Sequence, residues 1–432
     1  MTNNLLRKKT HVVYYNWHID RRAGGPTGYL ANLRYGLDRI SNPEGFNIYF
    51  HTKDKQMEVN ENRSFFRDIF HGFRKSKTFN EWYVSHHPKY ISSLKNFVKF
   101  VSDLNGMLVS SEEKEFFSSD TIRTIHCHTF YDAIKVHNVL KLLNKRERVK
   151  LIFTSHMPEA PAIEIINEFL EKGYKKSDLN ELEQNLKVAQ LFAFECSDIL
   201  IFPSKEAMEP YYQTVGGFET LVNKKDIRFL PTGSVGLEFS EQKLELREKF
   251  GIKPGVKVVS FIGRHNHVKG YDFLCTEARD IINKRKDILF LIAGKTNAAF
   301  PPLKSTQWKE LGWVNPTELL SVSDLFVLPN RRTYFDLILL EALSVGVPIL
   351  ASKTGGNVSV YKSTDIINLF EFNSDLSSSF KTKFYEIIDY DEDKKNEIRN
   401  CSIKMFKSNY SATVFAENYI NILNDIYKDY ML

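Results

Sequence analysis

Short apolar runs alternate with segments of helical periodicity along the first half of the chain. Five runs rich in β-branched and aromatic residues have the length of strands, and apolar positions between them recur every three to four residues. The predicted strands are His11–Trp17, Phe46–Thr52, Thr121–Thr129, Lys150–His156 and Asp198–Ser204. The clearest predicted helices are Tyr29–Arg39, Tyr131–Leu143 and Leu179–Glu195. This alternation is typical of βαβ units that build a parallel sheet.

The second half of the chain repeats the same rhythm. Its predicted strands are Val256–Gly263, Ile288–Gly294, Asp324–Pro329 and Val347–Ser352. Between the two series, Pro231–Gln242 is rich in Gly, Ser and Pro and has no periodicity, which indicates a domain join. The sequence therefore predicts an α/β protein of two doubly wound Rossmann-like domains facing a central cleft. We expect an N-terminal domain over 1–235, a C-terminal domain over 236–410 and a terminal helix over 411–432 that crosses back to the first domain.

Composition and charge narrow the class of protein. A chain of 432 residues is too long for one core, and 42% hydrophobic with 26% charged residues is typical of a globular protein. No apolar run reaches membrane-spanning length, and the first residues lack a signal-peptide core, so we expect a cytoplasmic protein. The net charge of +6 is compatible with anionic partners and does not require nucleic acid. Four scattered cysteines are expected to be reduced thiols: Cys127, Cys196, Cys275 and Cys401.

Two cations follow the first strand of the second half. In GRHNHVKG, Gly263 allows a turn, and Arg264 and Lys269 precede a predicted helix. A helix N-terminus with two cations is suited to a diphosphate, because Arg grips two oxygens while Lys supplies a mobile charge. An ordinary solvated loop explains the same residues, and this segment alone does not decide between the two.

A single carboxylate interrupts an apolar helix after a later strand. In TYFDLILLEALSVG the predicted helix starts near Asp336, and Glu341 lies about one and a half turns further in. A half-buried carboxylate needs donors, and a ribose diol offers two hydroxyls. An ion pair with Arg331 or Arg332 is the alternative.

Two other motifs invite a metal interpretation. His126 and His128 are two apart on a strand and share a face, but no third ligand motif accompanies them. Asp391-Glu392-Asp393 follows a helical pattern and precedes lysines, which predicts a solvated helix start. We therefore expect no metal site.

The two segments of the second half together resemble a known family. Gly263–Gly270 followed by Thr333–Ser352 is similar to the retaining glycosyltransferases of family 4, which have the GT-B fold. The family pattern has Gly-Arg, then Lys-Gly, then two Glu residues separated by seven positions. Three further segments support the resemblance, which covers nearly the whole chain and is specific in the C-terminal half: Leu291–Lys295, Leu311–Asn330 and Thr354–Asn357.

The resemblance implies roles for individual residues. Arg264 and Lys269 would hold the donor diphosphate, Glu341 the nucleotide ribose, and the backbone amides of Phe335–Leu337 would add donors to the β-phosphate. It also implies front-side attack, in which the departing phosphate accepts the proton of the acceptor. Neither a metal nor a cofactor is then needed, and a UDP-sugar is the favoured donor.

In the N-terminal half, the family's glycine-rich loop that faces phosphates and acceptor is similar to the segment around Gly24 and Gly25. A flexible turn explains a Gly-Gly pair equally well. His128, at the end of its strand, aligns with a family histidine that reaches the donor sugar, whereas we expect a structural role for His126.

The chain departs from the family where the first Glu is expected. Thr333 stands at that position, and Asp336 stands where the family often has Gly. Asp336 either takes over the contact with the sugar or caps the helix, and we favour the sugar contact. Alternatively, Thr333 and the main chain hold the donor sugar.

The segment 62–104 interleaves aromatic residues with cations and is longer than an ordinary connection. Three interpretations stay open: an acceptor-binding insertion, a basic surface for anionic lipid at the inner face of a membrane, and helices packed on the N-terminal domain.

The sequence as a whole predicts a glycosyltransferase that moves a hexosyl or N-acetylhexosaminyl group to a hydroxyl of a glycan, lipid-linked or protein acceptor. Assembly of a bacterial surface glycan is the expected setting. The principal alternative is a degenerate GT-B protein that binds a nucleotide or a partner enzyme without turnover, which the missing Glu at position 333 favours. An epimerase or phosphorylase of the same architecture is not supported, because the sequence shows neither a dedicated epimerase base nor a pyridoxal-binding lysine.

Overall fold

The computed structural model describes residues 9–21, 24–40, 46–53, 88–103, 109–297, 299–364, 366–371 and 376–430. These residues form two sheets of six strands each, and every strand pair in both sheets is parallel. Helices pack on both faces of each sheet. The predicted α/β fold of two doubly wound, Rossmann-like domains is confirmed.

The N-terminal sheet has the order β2-β1-β3-β4-β5-β6. Its strands are β1 (Lys9–Tyr15), β2 (Phe46–Thr52), β3 (Ile122–Cys127), β4 (Lys150–Phe153), β5 (Ile199–Phe202) and β6 (Asp226–Phe229). The helices of this half are α1 (Gly25–Leu37), α2 (Pro88–Ser102), α3 (Ser111–Ser118), α4 (Phe130–Leu142), α5 (Pro161–Glu171), α6 (Asn180–Cys196), α7 (Glu209–Thr214) and α8 (Phe218–Val222). Short 3₁₀ turns cover Lys176–Leu179 and Glu206–Met208.

The C-terminal sheet has the order β12-β11-β10-β7-β8-β9. Its strands are β7 (Lys257–Ile262), β8 (Ile288–Ala293), β9 (Trp308–Gly312), β10 (Leu325–Leu328), β11 (Ile349–Ser352) and β12 (Asn368–Phe370). The helices that follow β6 are α9 (Lys243–Lys249), α10 (Tyr271–Lys284), α11 (Pro316–Val322), α12 (Leu337–Val345), α13 (Gly355–Thr364), α14 (Leu376–Ile388), α15 (Glu392–Asn409) and α16 (Ala412–Asp429).

Helix boundaries follow local capping chemistry. At the start of α11, Asn315 accepts a hydrogen bond from the Thr317 amide at 3.1 Å, and Pro316 fills the first helical turn. Helix α12 ends at Gly346, whose φ of 79° is left-handed and where an added Cβ would lie 2.5 Å from Arg399 Cγ. The Gly-Val-Pro turn after this helix is therefore fixed both by conformation and by packing.

The last helix, α16, packs on the N-terminal sheet although it follows the C-terminal domain in the chain. It contacts α1 so closely that an added Cβ at Gly36 would lie 1.9 Å from the Ala412 carbonyl oxygen. Phe415, Tyr419 and Leu423 are part of the apolar cluster on this face of the first sheet. The two domains are therefore joined twice, since Ser234 and Ser411 pair side by side where the chain crosses between them.

Two sequence predictions fall on helices outside the sheets. Asp391 caps α15 by accepting a hydrogen bond from the Lys394 amide at 2.8 Å, so the Asp391–Asp393 triplet is a helix start as predicted. Helix α2, from the 62–104 insertion, packs Tyr90, Leu94 and Phe97 against the N-terminal core. Residues 62–87 and 104 lie outside the described part of the chain, so this packing concerns α2 alone. All four cysteines are free thiols.

Candidate functional site

The two segments that carry the predicted site flank the point where the C-terminal sheet reverses its strand order. Strand β7 lies beside both β8 and β10, so successive crossovers leave it in opposite directions. The loop after β7 contains Arg264 and Lys269, and the loop after β10 contains residues 330–336. A crevice at the carboxyl ends of such a strand pair is where open α/β sheets bind ligands.

Lys269 and Asp336 meet across this crevice. The Nζ atom of Lys269 lies 2.5 Å from Asp336 Oδ1, and the side chains are 19% and 16% exposed. Asn330, at the end of β10, donates to the second Asp336 oxygen through its amide nitrogen. Burial by itself would raise the pKa of Asp336, but the charge of Lys269 and the hydrogen bonds hold it below its ordinary value. The predicted diphosphate lysine is therefore paired with a carboxylate.

Asp336 occupies the N-cap position of α12, yet its side chain makes no capping hydrogen bond. The alternative in which Asp336 caps the helix is therefore wrong, because both carboxylate oxygens face Lys269 and Asn330 instead. Thr333 is buried and its side chain bonds Asp336 as well. A contact between Asp336 or Thr333 and a sugar stays a prediction.

Glu341 lies half-buried on α12, and its carboxylate accepts no hydrogen bond from any residue in the described ranges, whereas its backbone oxygen accepts one from Ser344. Burial raises the pKa of its carboxyl group to about 7, and the positive charge of Arg21 partly opposes that rise. Arg21 belongs to the loop after β1, in the other domain. The ion pairs considered for Glu341 are absent, because Arg331 pairs with Asp272 and Arg332 with Glu159. A ribose contact for Glu341 stays a prediction.

Three histidines line the N-terminal side at the ends of β3 and β4. His126 is fully buried and bonds Tyr419 of α16 at 2.9 Å and Thr154 at 2.8 Å, which is the structural role predicted for it. His128 Nδ1 lies 3.0 Å from His156 Nε2, and its own Nε2 has no partner among the described residues. Burial lowers the pKa of His156 to about 3 and that of His128 well below its ordinary value.

The sequence prediction did not include His156. The sequence could have indicated His156, because it follows β4 in the way that His128 follows β3. Adjacent parallel strands bring the residues that follow them close together. His156 is more exposed than His128, so it lies on the outer side of the pair.

The Gly-Gly pair starts α1. Gly24 is the N-cap, Gly25 has a left-handed φ of 62°, and an added Cβ at either would meet nothing within 4 Å. The backbone here borders open space, as a loop that faces a ligand requires. Arg22 and Ala23, beside the pair, lie outside the described residues.

Ion pairs connect the two domains across the crevice. Arg264 Nη2 lies 3.1 Å from Glu164 Oε1 on α5, and Lys362 Nζ lies 2.6 Å from Glu206 Oε1. Arg332 donates to Glu159, a buried residue in the loop after β4. In each pair the cation belongs to the C-terminal domain and the carboxylate to the N-terminal domain.

Tyr334 inserts from the C-terminal domain into the N-terminal core. Its ring packs near those of His156, Phe202 and Tyr211, at centroid distances of 6.1, 6.1 and 6.3 Å. The carboxyl ends of both sheets therefore face each other, and the loop after β10 contacts both domains.

Buried polar atoms without a hydrogen-bond partner are frequent in this region of the described structure. They include one side-chain atom each in His128, Glu159, Glu164, His265, Asn330 and Asn357. Four of them lie in loops that follow strands, and the other two, Glu164 and Asn357, lie on the helices α5 and α13.

Within the described ranges, no cluster of three or more His, Cys, Asp or Glu side chains has a geometry that could hold a metal ion. Among the helices there, none has the length and apolar character that a membrane crossing requires.

Comparison with known proteins assigns part of the chain to a family model. Residues 256–383, which include the loops after β7 and β10 and all of α12, match the model described as "Glycosyl transferases group 1". The matched segment contains Arg264, Lys269, Asp336 and Glu341.

Curated relatives align over limited regions. D-inositol 3-phosphate glycosyltransferase of Segniliparus rotundus is 26% identical over 145 residues, covering 30% of this chain and 32% of that protein. UDP-Gal:alpha-D-GlcNAc-diphosphoundecaprenol alpha-1,3-galactosyltransferase of Escherichia coli is 29% identical over 201 residues, covering 43% of this chain and 51% of that protein. The chain therefore spans between about a third and a half of the length of these two relatives.

The fold is shared over the full length. Sucrose-phosphate synthase from Thermosynechococcus elongatus superposes with a TM-score of 0.60 over 98% of this chain and 100% of that chain, at 12% sequence identity. At such low sequence identity, the superposition shows a shared fold and nothing about function. The chain thus has the two-domain GT-B fold throughout, and its segment 256–383 matches the glycosyl transferases group 1.

Proposed function

We propose that the protein is a retaining, metal-independent glycosyltransferase that moves a sugar from a nucleotide-diphosphate sugar to a hydroxyl acceptor. The observation that carries the proposal is that Lys269 contacts Asp336 at the start of α12, at the strand-order reversal of the second sheet, and that Arg264 belongs to the same loop as Lys269. Glu341, whose carboxylate accepts no hydrogen bond from the described residues and interacts electrostatically with Arg21, lies on the same helix.

The chemistry follows from charge. As the glycosidic bond breaks, negative charge develops on the leaving diphosphate, and positioned cations and helix amides stabilise it. Arg264 and Lys269 supply the cations, while the first amides of α12 have no acceptor within their own helix. The departing phosphate accepts the proton of the attacking hydroxyl, so no protein nucleophile is required. Retention of configuration rests on the resemblance of these segments to family 4.

Donor and setting are proposed from the relatives. The Escherichia coli relative carries UDP-Gal in its name, which supports a UDP-sugar donor. That relative acts on a diphosphoundecaprenol-linked sugar, which supports a role in assembling a bacterial surface glycan on a glycan or lipid-linked acceptor. We place the reaction in the cytoplasm, with peripheral contact at the inner membrane face.

One observation favours a second candidate, a GT-B protein that binds nucleotide without turnover. Asp336 already compensates the charge of Lys269, and Thr333 leaves the crevice without the family's first Glu.

A donor screen separates the candidates. The protein is incubated with UDP-, GDP- and other nucleotide sugars, and release of the nucleotide diphosphate is measured alongside nucleotide binding. A transferase releases the nucleotide diphosphate from at least one donor when a suitable acceptor is present, because transfer of the sugar breaks its bond to the diphosphate. Tight nucleotide binding without release from any donor, in the presence of candidate acceptors, would favour the binding protein.

A further inference from the structure

The cation that we assign to the donor diphosphate is bonded to the opposite domain. We propose that Glu164 competes with the diphosphate for Arg264, so that donor binding exchanges a carboxylate for a diphosphate at the guanidinium group. This inference rests on the proposed function, since it assumes that Arg264 binds the diphosphate.

Both ends of the Arg264 fork point at α5. Nη2 lies 3.1 Å from Glu164 Oε1, and Nη1 lies 3.8 Å from Glu168 Oε1. A guanidinium grips two oxygens of one partner through these same groups. Arg264 therefore has to turn away from α5 before it can bind a diphosphate with both terminal nitrogens.

The carboxylates form a row. Glu164, Glu168 and Glu171 are spaced by four and three residues on α5, and all three interact electrostatically with Arg264. A row of carboxylates repels a bound diphosphate. Its contacts with Arg264 must therefore offset the unfavourable free energy of this repulsion and of the lost ion pair.

The cost is concentrated at Glu164. Its side chain is 17% exposed, and its Oε2 has no partner among the described residues. Burial raises the pKa of Glu164, and the positive charge of Arg264 opposes the rise, so the arginine favours the ionised carboxylate. A nucleotide diphosphate, which brings two phosphate groups to Arg264, therefore displaces Glu164 more readily than a nucleotide monophosphate, which lacks the β-phosphate.

An interdomain tether is the competing explanation of the same contact. If Glu164 only holds the domains together, any ion pair across the crevice should act alike. Glu206 provides the matched control, because it pairs with Lys362 at 2.6 Å across the same crevice without contacting Arg264.

The test compares nucleotide binding by the full chain and two variants, Glu164→Gln and Glu206→Gln. Titration calorimetry at fixed ionic strength measures the affinity for UDP, with UMP as the probe that lacks the β-phosphate. Circular dichroism checks that each variant is folded. Should Glu164→Gln not fold, Glu168→Gln is used, with a smaller gain expected in the same direction.

Glu164→Gln is expected to raise UDP affinity about two- to fivefold, the range of a partly exposed ion pair, and to leave UMP affinity unchanged. Glu206→Gln is expected to change neither. Unchanged or weaker UDP binding by Glu164→Gln overturns the exchange, and an equal gain in Glu206→Gln assigns the effect to the tether. Absence of UDP binding in all three proteins would instead contradict the proposed nucleotide site, and the exchange with it.

Discussion

Asp336 is the residue whose contacts give most information about the crevice. Its oxygens receive Lys269 and Asn330, so its negative charge is held beside the place proposed for a diphosphate. A buried carboxylate next to an anion site is unfavourable unless it fixes the cation or contacts substrate. Two roles follow, as the counterion that orients Lys269 and as the acceptor of sugar hydroxyls.

Asp336→Asn separates these roles. We expect kcat/KM for the donor to fall about tenfold or more, the loss of a charged hydrogen bond to the sugar, with UDP affinity preserved. Kinetics with the donor found in the screen and calorimetry with UDP give both quantities. If UDP affinity rises instead, Asp336 acts mainly as the counterion of Lys269, and unchanged donor kinetics would exclude the sugar contact.

Lys269→Ala should lower turnover at saturating donor by about a hundredfold, as expected for loss of one donor to a developing negative charge. Steady-state kinetics measure the change, with a melting curve to confirm folding. Lys362→Ala is the matched control, because Lys362 also faces the N-terminal domain but pairs with Glu206, so its turnover should stay near that of the wild type. Near-wild-type turnover in Lys269→Ala would show that another group stabilises the leaving diphosphate.

Glu341 predicts a pH dependence of nucleotide binding. Its pKa is raised from 4.5 to about 7 by burial, so the carboxylate that we propose as the acceptor of ribose hydroxyls is lost as the pH falls through 7. UDP affinity should therefore fall about tenfold between pH 8 and pH 6. In Glu341→Gln, only the smaller decrease that results from protonation of UDP itself should remain. The sign for stability is opposite, because a raised carboxyl pKa makes ionisation between pH 4.5 and 7 destabilise the fold. Equal pH profiles for both proteins would remove Glu341 from the ribose site.

Among single residues, the sequence located those that follow a strand within the matched C-terminal segment. Arg264, Lys269 and Asp336 could be placed because a post-strand position at a parallel sheet implies the crevice. The partners Glu164 and Glu159 could not, since they lie on the other domain and only tertiary packing brings them to Arg264 and Arg332.

At the level of elements, the contact of α1 with α16 fixes the terminal helix on the first domain. Gly36→Ala should lower stability by about 1–3 kcal/mol, because the new methyl group would lie 1.9 Å from the Ala412 carbonyl oxygen. Gly216→Ala is the control, since an added Cβ there meets nothing within 4 Å. Thermal unfolding followed by circular dichroism makes the comparison, and equal midpoints for the two variants would contradict the close packing.

Elements differed in how well the sequence revealed them. Central strands such as β3, β7 and β10 were predicted because nearly all of their positions are buried and β-branched or other apolar residues predominate in β7 and β10. The edge strands β6, β9 and β12 were missed, because most of their positions are only partly buried and charged residues such as Asp226 and Glu310 interrupt the pattern in the first two.

For the whole molecule, the arrangement of two sheets with facing carboxyl ends brings three ion pairs of the same direction across the crevice. The C-terminal side contributes cations, among them Arg264, Arg332 and Lys362, and the N-terminal side contributes the carboxylates that pair with them. The sequence predicted two domains and a cleft, but the distribution of charge between the domains became visible only in three dimensions.

The proposed catalysis assigns the stabilisation of the leaving diphosphate to Arg264, Lys269 and the amides at the start of α12. The most direct test is turnover of the donor found in the screen, measured in excess EDTA and again after addition of Mg²⁺ or Mn²⁺. We expect the rate in EDTA to stay close to the untreated rate, apart from small effects of metal ions on product release. Loss of turnover in EDTA that Mn²⁺ restores would contradict the assignment, because a metal ion would then stabilise that charge.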